Sequence, residues 1–339
     1  MFQHNRRLQQ FITSADQRIA DAKMPRDLLD LIEESRIFNG NFQFDSRDYW
    51  LYFGIDMMAL IISIIAFQKS DESFWLFLIF LSIFIGIILV IRYFKRGKSI
   101  DRLSADIYRR DLLFDNHLTI VDSPNFTQKA LESRFQDFHR GNYSREIKEV
   151  IAGKNQTSLP FAYHYYQFHY VDEKEETRTD SDGKTTTQKS YTHYDRFGLI
   201  VDLKSIPNMT FNAALRIIES KSLFGMNKSD YAPASITFRK NFKVQTKDSL
   251  QAAKFFTPVM VETLESLLQG FKEIVIETNQ AHELLLSFTN HDLLTGDRQH
   301  SLKEMDLFLQ EIEQVTALDN LQYTLHMLTQ MLQEIDHNF

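Results

Sequence analysis

Three histidines, His164, His169 and His193, lie in aromatic, β-branched segments and are the first residues to weigh as metal ligands. A zinc site needs three or four ligands converging at about 2.0–2.2 Å. His164 and His169 are an odd number of residues apart, so on one strand they point to opposite faces. With Asp182-Gly183 as the turn of a hairpin, His193 is expected opposite Asp172, His169 opposite Arg196 and His164 opposite Val201. No ligand set converges in that register. A second group, His291, Asp292, Asp297 and His300, could bind a cation or do acid–base work, or could cap helices and line a solvated turn. The third candidate is Asp56, the only charge in the apolar run Tyr49–Phe67.

The remaining chemistry is marked by what is missing. There is no phosphate-cradling glycine loop, no G-x-S-x-G, no H-E-x-x-H and no aspartate-rich calcium loop. Eleven glycines in 339 residues leave little for a nucleotide cradle, and the absence of cysteine removes thiol catalysis, disulfides and cysteine metal sites. No cofactor, metal or catalytic residue is therefore expected. The formal charge of −7 argues against a general nucleic-acid binder. The aromatics of Phe161–Tyr170 also keep company with Asp172, Glu173, Glu175 and Glu176, which repel phosphates.

The elements that must position these residues begin with two apolar runs, Tyr49–Phe67 and Phe74–Ile91, the second without any charge. A bilayer core of about 30 Å needs about 20 apolar residues at 1.5 Å each, so both are long enough to cross one. The connector Gln68–Ser73 is too short for a domain, which makes the pair an antiparallel hairpin. Arg92, Lys95, Arg96, Lys98, Arg102, Arg109 and Arg110 follow the second run against only Asp101 and Asp106, whereas the connector offers Lys69 beside Asp71 and Glu72. That asymmetry places both termini in the cytoplasm. Trp50, Tyr52, Trp75 and Tyr93 fall near the run ends, where amphipathic rings favour the interface. Folding about the short turn puts Ala59 and Ser63 at the depth of Gly86 and Ser82, a small-residue seam of the kind that packs helices in lipid. Asp56 then lies about two turns inside, with Arg92 as its nearest formal partner.

The rest of the chain is hydrophilic, with a mean hydropathy of −0.30 overall despite the two runs. Leu8, Phe11, Ile12, Ala15, Ile19 and Ala22 recur at helical spacing, and Pro25 opens a second helix carrying Leu28, Leu29, Leu31 and Ile32. Ile100, Leu103 and Ile107 extend the second apolar helix to about Asn116. Asp122-Ser123-Pro124 starts a helix with Phe126, Leu131, Phe135 and Phe138, and another is expected over Ser144–Ala152. Leu159–Asp172 and Ser190–Leu203 form one long β-hairpin with an exposed polar end, Glu173–Lys189. Phe211–Leu223 reads as an amphipathic helix, and Ile236, Phe238, Phe242 and Val244 as strand. Helices follow over Ser249–Phe256 and from Pro258 to Leu268, then a hairpin of Ile274–Glu277 with Leu284–Phe288, and helices Leu302–Ile312 and Leu318–Ile335. The fold class is α+β: a two-helix transmembrane hairpin with a cytoplasmic domain of β-hairpins and flanking amphipathic helices. Its divisions are 1–48 (N-terminal helices), 49–94 (hairpin), 95–155 (helical stalk), 156–300 (α+β domain) and 301–339 (C-terminal helices).

The segment Ile236–Leu268 resembles domain-of-unknown-function family 3137, a group of bacterial membrane proteins. The similarity rests on Phe238, Phe242 and Val244, the following Asp248, an alanine-rich helix, and the Thr257-Pro258 break before an amphipathic helix. Phe197-Gly198-Leu199-Ile200 is similar to that family's strand, and the order of N-terminal helices and membrane hairpin agrees. The resemblance implies membrane association in a bacterium and carries no assigned reaction; the expected location is the bacterial inner membrane. The expected function is non-enzymatic: an anchored cytoplasmic domain that binds a protein partner or assembles with itself. The runner-up is a membrane-tethered sensor or ligand-binding module. The third is an enzyme using His291, Asp292 or His300, which requires those side chains to converge.

Overall fold

The computed structural model describes residues 2–38, 42–70, 72–156, 158–179, 185–207, 209–220 and 229–338. The chain divides into two compact units, one built from residues 1–115 and 296–317, the other from 116–295 and 318–339. The boundary after Asp115 falls inside the 95–155 segment, so the extended helix and the residues that follow it belong to different units.

The first unit is helical. Its elements are α1 (Phe2–Asp21), α2 (Pro25–Glu34), α3 (Arg47–Ser70), α4 (Ser73–Asp115) and, much later in the chain, α9 (Met305–Ile312). The 3–4 spacing of α1 buries Leu8, Phe11, Ile12, Ala15 and Ile19, and that of α2 buries Leu28, Leu31 and Ile32. Both pack on α4, whose Ile100, Leu103 and Ile107 are the facing stripe. Phe42 is fully buried among Phe11 and Phe38 in edge-to-face contacts of 5.4–5.6 Å between ring centroids. Helix α3 and the first half of α4 are long and apolar enough to cross a membrane, and they pack on each other while the rest of their surface stays exposed.

The second unit is an eight-stranded antiparallel sheet in the order β1-β2-β3-β4-β8-β7-β5-β6. The strands are β1 (Thr119–Ile120), β2 (Ser144–Asn155), β3 (Phe161–Thr179), β4 (Thr185–Asp202), β5 (Leu215–Glu219), β6 (Phe242–Thr246), β7 (Val275–Thr278) and β8 (Glu283–Phe288). Short α5 (Gln128–Glu132) and the turns around it cover one face through Leu131, Phe135 and Phe138, which pack on Val150, Tyr166, Phe168, Ile200 and Leu285. The helices of this unit are α6 (Ile236–Asn241), α7 (Ser249–Phe255), α8 (Pro258–Gly270) and α10 (Asp319–Asn338). Helix α10 packs on α7 and α8, and it reaches the sheet where Asn155 donates to Thr329 at 3.0 Å.

Four local expectations fail. The helix expected from Pro124 through Phe138 is broken into three short pieces, α5 flanked by single 3-10 turns at Pro124–Phe126 and Gln136–His139, because Ser123 and Thr127 each cap a new start. Ser144–Ala152 is strand, not helix. A bulge between Ile147 and Glu149 puts Ile147 and Val150 on the same sheet face, so the apolar spacing mimics a helical turn. Within the described part of Phe211–Leu223, residues 211–214 are irregular and Leu215–Glu219 form β5, with Leu215 and Ile217 buried at period two; its expected end lies outside the described residues. Ile236 and Phe238 stand on α6, where Ser235 caps the Phe238 N–H, and strand begins only at Phe242.

Candidate functional site

Asp56 is the polar centre of the apolar hairpin. Its Oδ1 accepts from Ser82 Oγ at 2.8 Å, and the same hydroxyl lies 3.1 Å from the Asp56 carbonyl oxygen. A Cβ at Gly86 would stand 3.3 Å from Asp56 Oδ2, so the glycine makes room for the carboxylate. The expected seam is thereby corrected. Ser82 and Gly86 face Asp56, while Ser63 is buried with its hydroxyl turned onto its own helix, donating to the Ala59 carbonyl at 2.8 Å. Ala59 is exposed. Arg92 is exposed and forms no ion pair with Asp56 among the described residues. The reason is economy: a serine at matching depth satisfies a carboxylate without drawing a guanidinium inward. Ser82→Ala is expected to weaken helix pairing by about 1 kcal/mol. This is read as a lower midpoint when the full chain is unfolded in mixed micelles, and an unchanged midpoint would remove Ser82 from the seam.

The histidines of the long hairpin also depart from expectation. The register pairs His193 with Val171, His169 with Asp195 and His164 with Ile200, one residue from the expected pairing. The outermost pair is Thr179–Thr185, which leaves an odd-numbered connection where a two-residue Asp-Gly turn needs an even one. The Asp182-Gly183 turn itself lies outside the described residues. His169 and His193 consequently share a face. His169 Nδ1 lies 3.0 Å from Asp195 Oδ1, and its Nε2 lies 3.1 Å from His193 Nδ1. With Nδ1–H donated to Asp195, Nε2 accepts from His193, giving a short carboxylate–imidazole–imidazole relay on an open strand surface. His164 points to the other face, against Phe126 at 4.3 Å, and burial followed by the nearby Arg134 charge lowers its pKa. Among the described residues no group of three or more histidine and carboxylate side chains is arranged to hold a metal ion.

The second chemical group does not assemble. His291 Nε2 bonds the Gly270 carbonyl at 2.9 Å, and Asp292 accepts from Tyr165 Oη at 2.7 Å and from the Leu294 N–H at 2.9 Å. His300 belongs to the helical unit, where its N–H donates to Glu311 at 2.8 Å and its ring lies 3.4 Å from Glu304. Each side chain serves its own turn.

What the sequence reading overlooked is a buried polar network on the sheet. Arg196 is fully buried; its Nε donates to Asp137 Oδ2 at 2.7 Å and to Ser287 Oγ at 2.9 Å, and its Nη2 to the Glu273 carbonyl at 2.8 Å. Ser287 and Arg140 add bonds of 2.6 Å each to Asp137. Burial alone would raise the Asp137 pKa, but Arg196 and Arg140 outweigh it and hold the carboxyl below its ordinary value. Next to it, Glu277 accepts from the Gln136 N–H at 2.7 Å and from Arg216 at 2.8 Å, and Arg134 pairs with Glu283 at 2.5 Å. These bonds fasten residues 134–140 to the sheet. The available clue was Arg196 at a core-facing position between Tyr194 and Gly198 on an aromatic strand. A polar cleft of about 500 Å³ opens beside Arg134, Arg216 and Glu277, but the structure pairs each of those charges internally.

A last titratable group stands apart in the helical unit. Asp111 on α4 is 1% exposed, and neither carboxylate oxygen has a hydrogen-bond partner. Burial, reinforced by the Asp115 charge, pushes its pKa up to about 7. No family model, curated protein or solved structure matches this chain.

Proposed function

We propose that the chain is a non-enzymatic membrane-anchored protein whose sheet unit binds a protein partner or a second copy of itself. The anchor is the α3–α4 hairpin. Trp50, Ile55, Met58, Phe77, Phe80 and Phe84 are each more than half exposed, a load of apolar surface that water does not tolerate and lipid does. The basic residues after Ile91 support a bacterial inner-membrane orientation with both termini cytoplasmic. Kinship with domain-of-unknown-function family 3137 belongs to the same proposal. Its strand-type Gly198 is supported by packing, because a Cβ there would meet the Leu286 carbonyl at 2.2 Å. Phe238, in contrast, stands on a helix.

The observation that carries the interaction reading is the outer β3–β4 ribbon. Strand β2 leaves β3 at Val171 and β8 leaves β4 at Phe197, so beyond those residues the two strands pair only with each other. Among the described residues no further strand covers either edge of this ribbon; the Asn142 side chain closes the β3 edge at Glu173, accepting from its N–H at 2.7 Å and donating to its carbonyl at 3.0 Å, and Lys174, Glu175, Glu176 and Lys189 discourage indiscriminate pairing beyond it. Paired tyrosines mark its base: Tyr170 stacks on Tyr194 at 5.0 Å and Tyr143 lies tilted against Tyr191 at 4.7 Å, with Tyr143, Tyr191 and Tyr194 exposed. A photocrosslinking residue placed at Tyr191 in native membranes is expected to give discrete adducts, and one at exposed Leu250 none. A strictly monomeric product at Tyr191 would count against the proposal. The sensor reading is favoured by one observation, the partnerless buried carboxyl of Asp111, and its test is given below.

A further inference from the structure

Two clefts meet where α3 enters and α4 leaves the apolar hairpin. The first, of about 500 Å³, is mixed in polarity and is lined by the cations Arg96, Lys98 and Lys303, the carboxylates Asp45 and Asp101, and Phe44 among others. The second, of about 260 Å³, has no polar surface and is lined by Trp50, Phe53, Leu89 and Val90. Tyr49, Tyr93 and Phe94 line both, so the two clefts adjoin across these rings and together make one amphipathic groove. Its apolar end faces the membrane-length helices, and its polar end faces the basic juxtamembrane run.

The cations at the polar end are differently prepared. Arg96 is held in place: Nη1 donates to Asp48 at 2.9 Å, Asp48 is itself anchored by Asn5 at 3.0 Å, and the guanidinium lies 4.5 Å above the Tyr49 ring and 5.3 Å from that of Phe44. Lys303 pairs with Asp101 at 2.8 Å. Lys98 is exposed and forms no ion pair or hydrogen bond among the described residues. The groove thus offers one unpaired ammonium beside a fixed, partly exposed guanidinium, immediately next to a dry slot walled by aromatic rings. That combination matches a single phosphate with an acyl chain attached to it. An ion alone leaves the apolar slot unused, and in a zwitterionic lipid the headgroup's own ammonium competes with Lys98 for the phosphate.

We propose that this groove is a binding site for one anionic phospholipid, the phosphate beside Lys98 and Arg96 and an acyl chain in the slot between Phe53 and Leu89. The inference rests on the membrane-anchor reading. Lys98 adds a cation at the lipid surface, an attraction worth about a fivefold preference for an anionic over a zwitterionic headgroup. The site is distinguished from diffuse attraction by position, because Lys95 carries the same charge outside the groove.

Native mass spectrometry of the full chain in dodecyl maltoside, with dioleoyl phosphatidylglycerol or dioleoyl phosphatidylcholine added, tests this directly. Wild type is expected to retain one phosphatidylglycerol with about fivefold preference. Lys98→Gln should bring that preference close to one, Leu89→Trp should reduce retention of the lipid by filling the slot, and Lys95→Gln should change nothing. Equal retention of both lipids, or equal losses in Lys95→Gln and Lys98→Gln, would overturn the site. Alkaline carbonate extraction of the same expressed protein separates the two levels. A chain that stays in the membrane pellet yet shows no preference loses the lipid site alone. A chain released by carbonate loses the anchor, and the site falls with it.

Discussion

Asp137→Ala should destabilise the sheet unit by about 3–5 kcal/mol, because it leaves the fully buried Arg196 with only the solvent-exposed Glu273 carboxylate, 3.6 Å away, as a counter-charge. The loss is larger than for an exposed ion pair since the guanidinium cannot recover water. It should appear as a lower denaturation midpoint of the full chain in micelles and as faster amide exchange in β4 and β8. Replacing both partners, Asp137→Ala with Arg196→Met, should cost less than the single change, as the buried charge is then gone as well. A single variant within about 1 kcal/mol of wild type would show that the network is not holding residues 134–140 in place. Because the folded-state pKa of Asp137 is depressed, its contribution is present above the unfolded value and is lost as pH falls through the folded one.

Asp111→Asn acts in the opposite direction. The folded-state pKa of Asp111 stands at about 7 against an ordinary 3.8, so the folded chain holds a proton that the unfolded chain releases. Stability from this site is full below the ordinary value and falls as pH rises between the two, by up to about 4 kcal/mol for a shift of about 3 units. Asparagine keeps the shape and cannot ionise. The variant should therefore match wild type near pH 4 and be the more stable protein at pH 8, as measured by thermal unfolding in micelles at both values. The same difference at both pH values would mean that the Asp111 carboxyl does not titrate in the folded chain, and the sensor reading would lose its motivating observation.

How much of this was legible in the sequence follows from whether a pattern had one physical cause or two. The stripes of α1, α2 and α4 answer only to burial of one helix face, and Leu8 to Ile19, Leu28, Leu31 and Ile32, and Ile100 to Ile107 are buried as their spacing implies, with Leu29 only half-buried at the edge of its stripe. The apolar hairpin was equally plain, since few other environments call for Phe74–Ile91. β2 was not, because a bulge gave Ile147 and Val150 a helical spacing on a strand. β5 and β6 are short strands at one edge of the sheet whose partners lie far along the chain, and local propensity carries no trace of that pairing. The site suffered in the same way. Asp56 was visible as a lone charge among apolar residues, but its partner depended on helix rotation, which chose Ser82 over Arg92. The contact of His169 with His193 turned on a one-residue register that only the length of the connection decides. Asp137 and Arg196 come from a turn and a strand 59 residues apart, and nothing short of the folded sheet brings them together.

In the function we propose, α3 and α4 form a membrane hairpin, and the sheet unit and the chain on both sides of the hairpin lie in the cytoplasm. The chain has no cysteine, so single cysteines report without background. Glu72→Cys in the connector and Lys189→Cys in the ribbon, each in the full chain in intact cells, should be treated with a membrane-impermeant maleimide. Position 72 is expected to label in intact cells and position 189 only after permeabilisation. Labelling of position 189 in intact cells, or protection of position 72 until the membrane is broken, would contradict that arrangement.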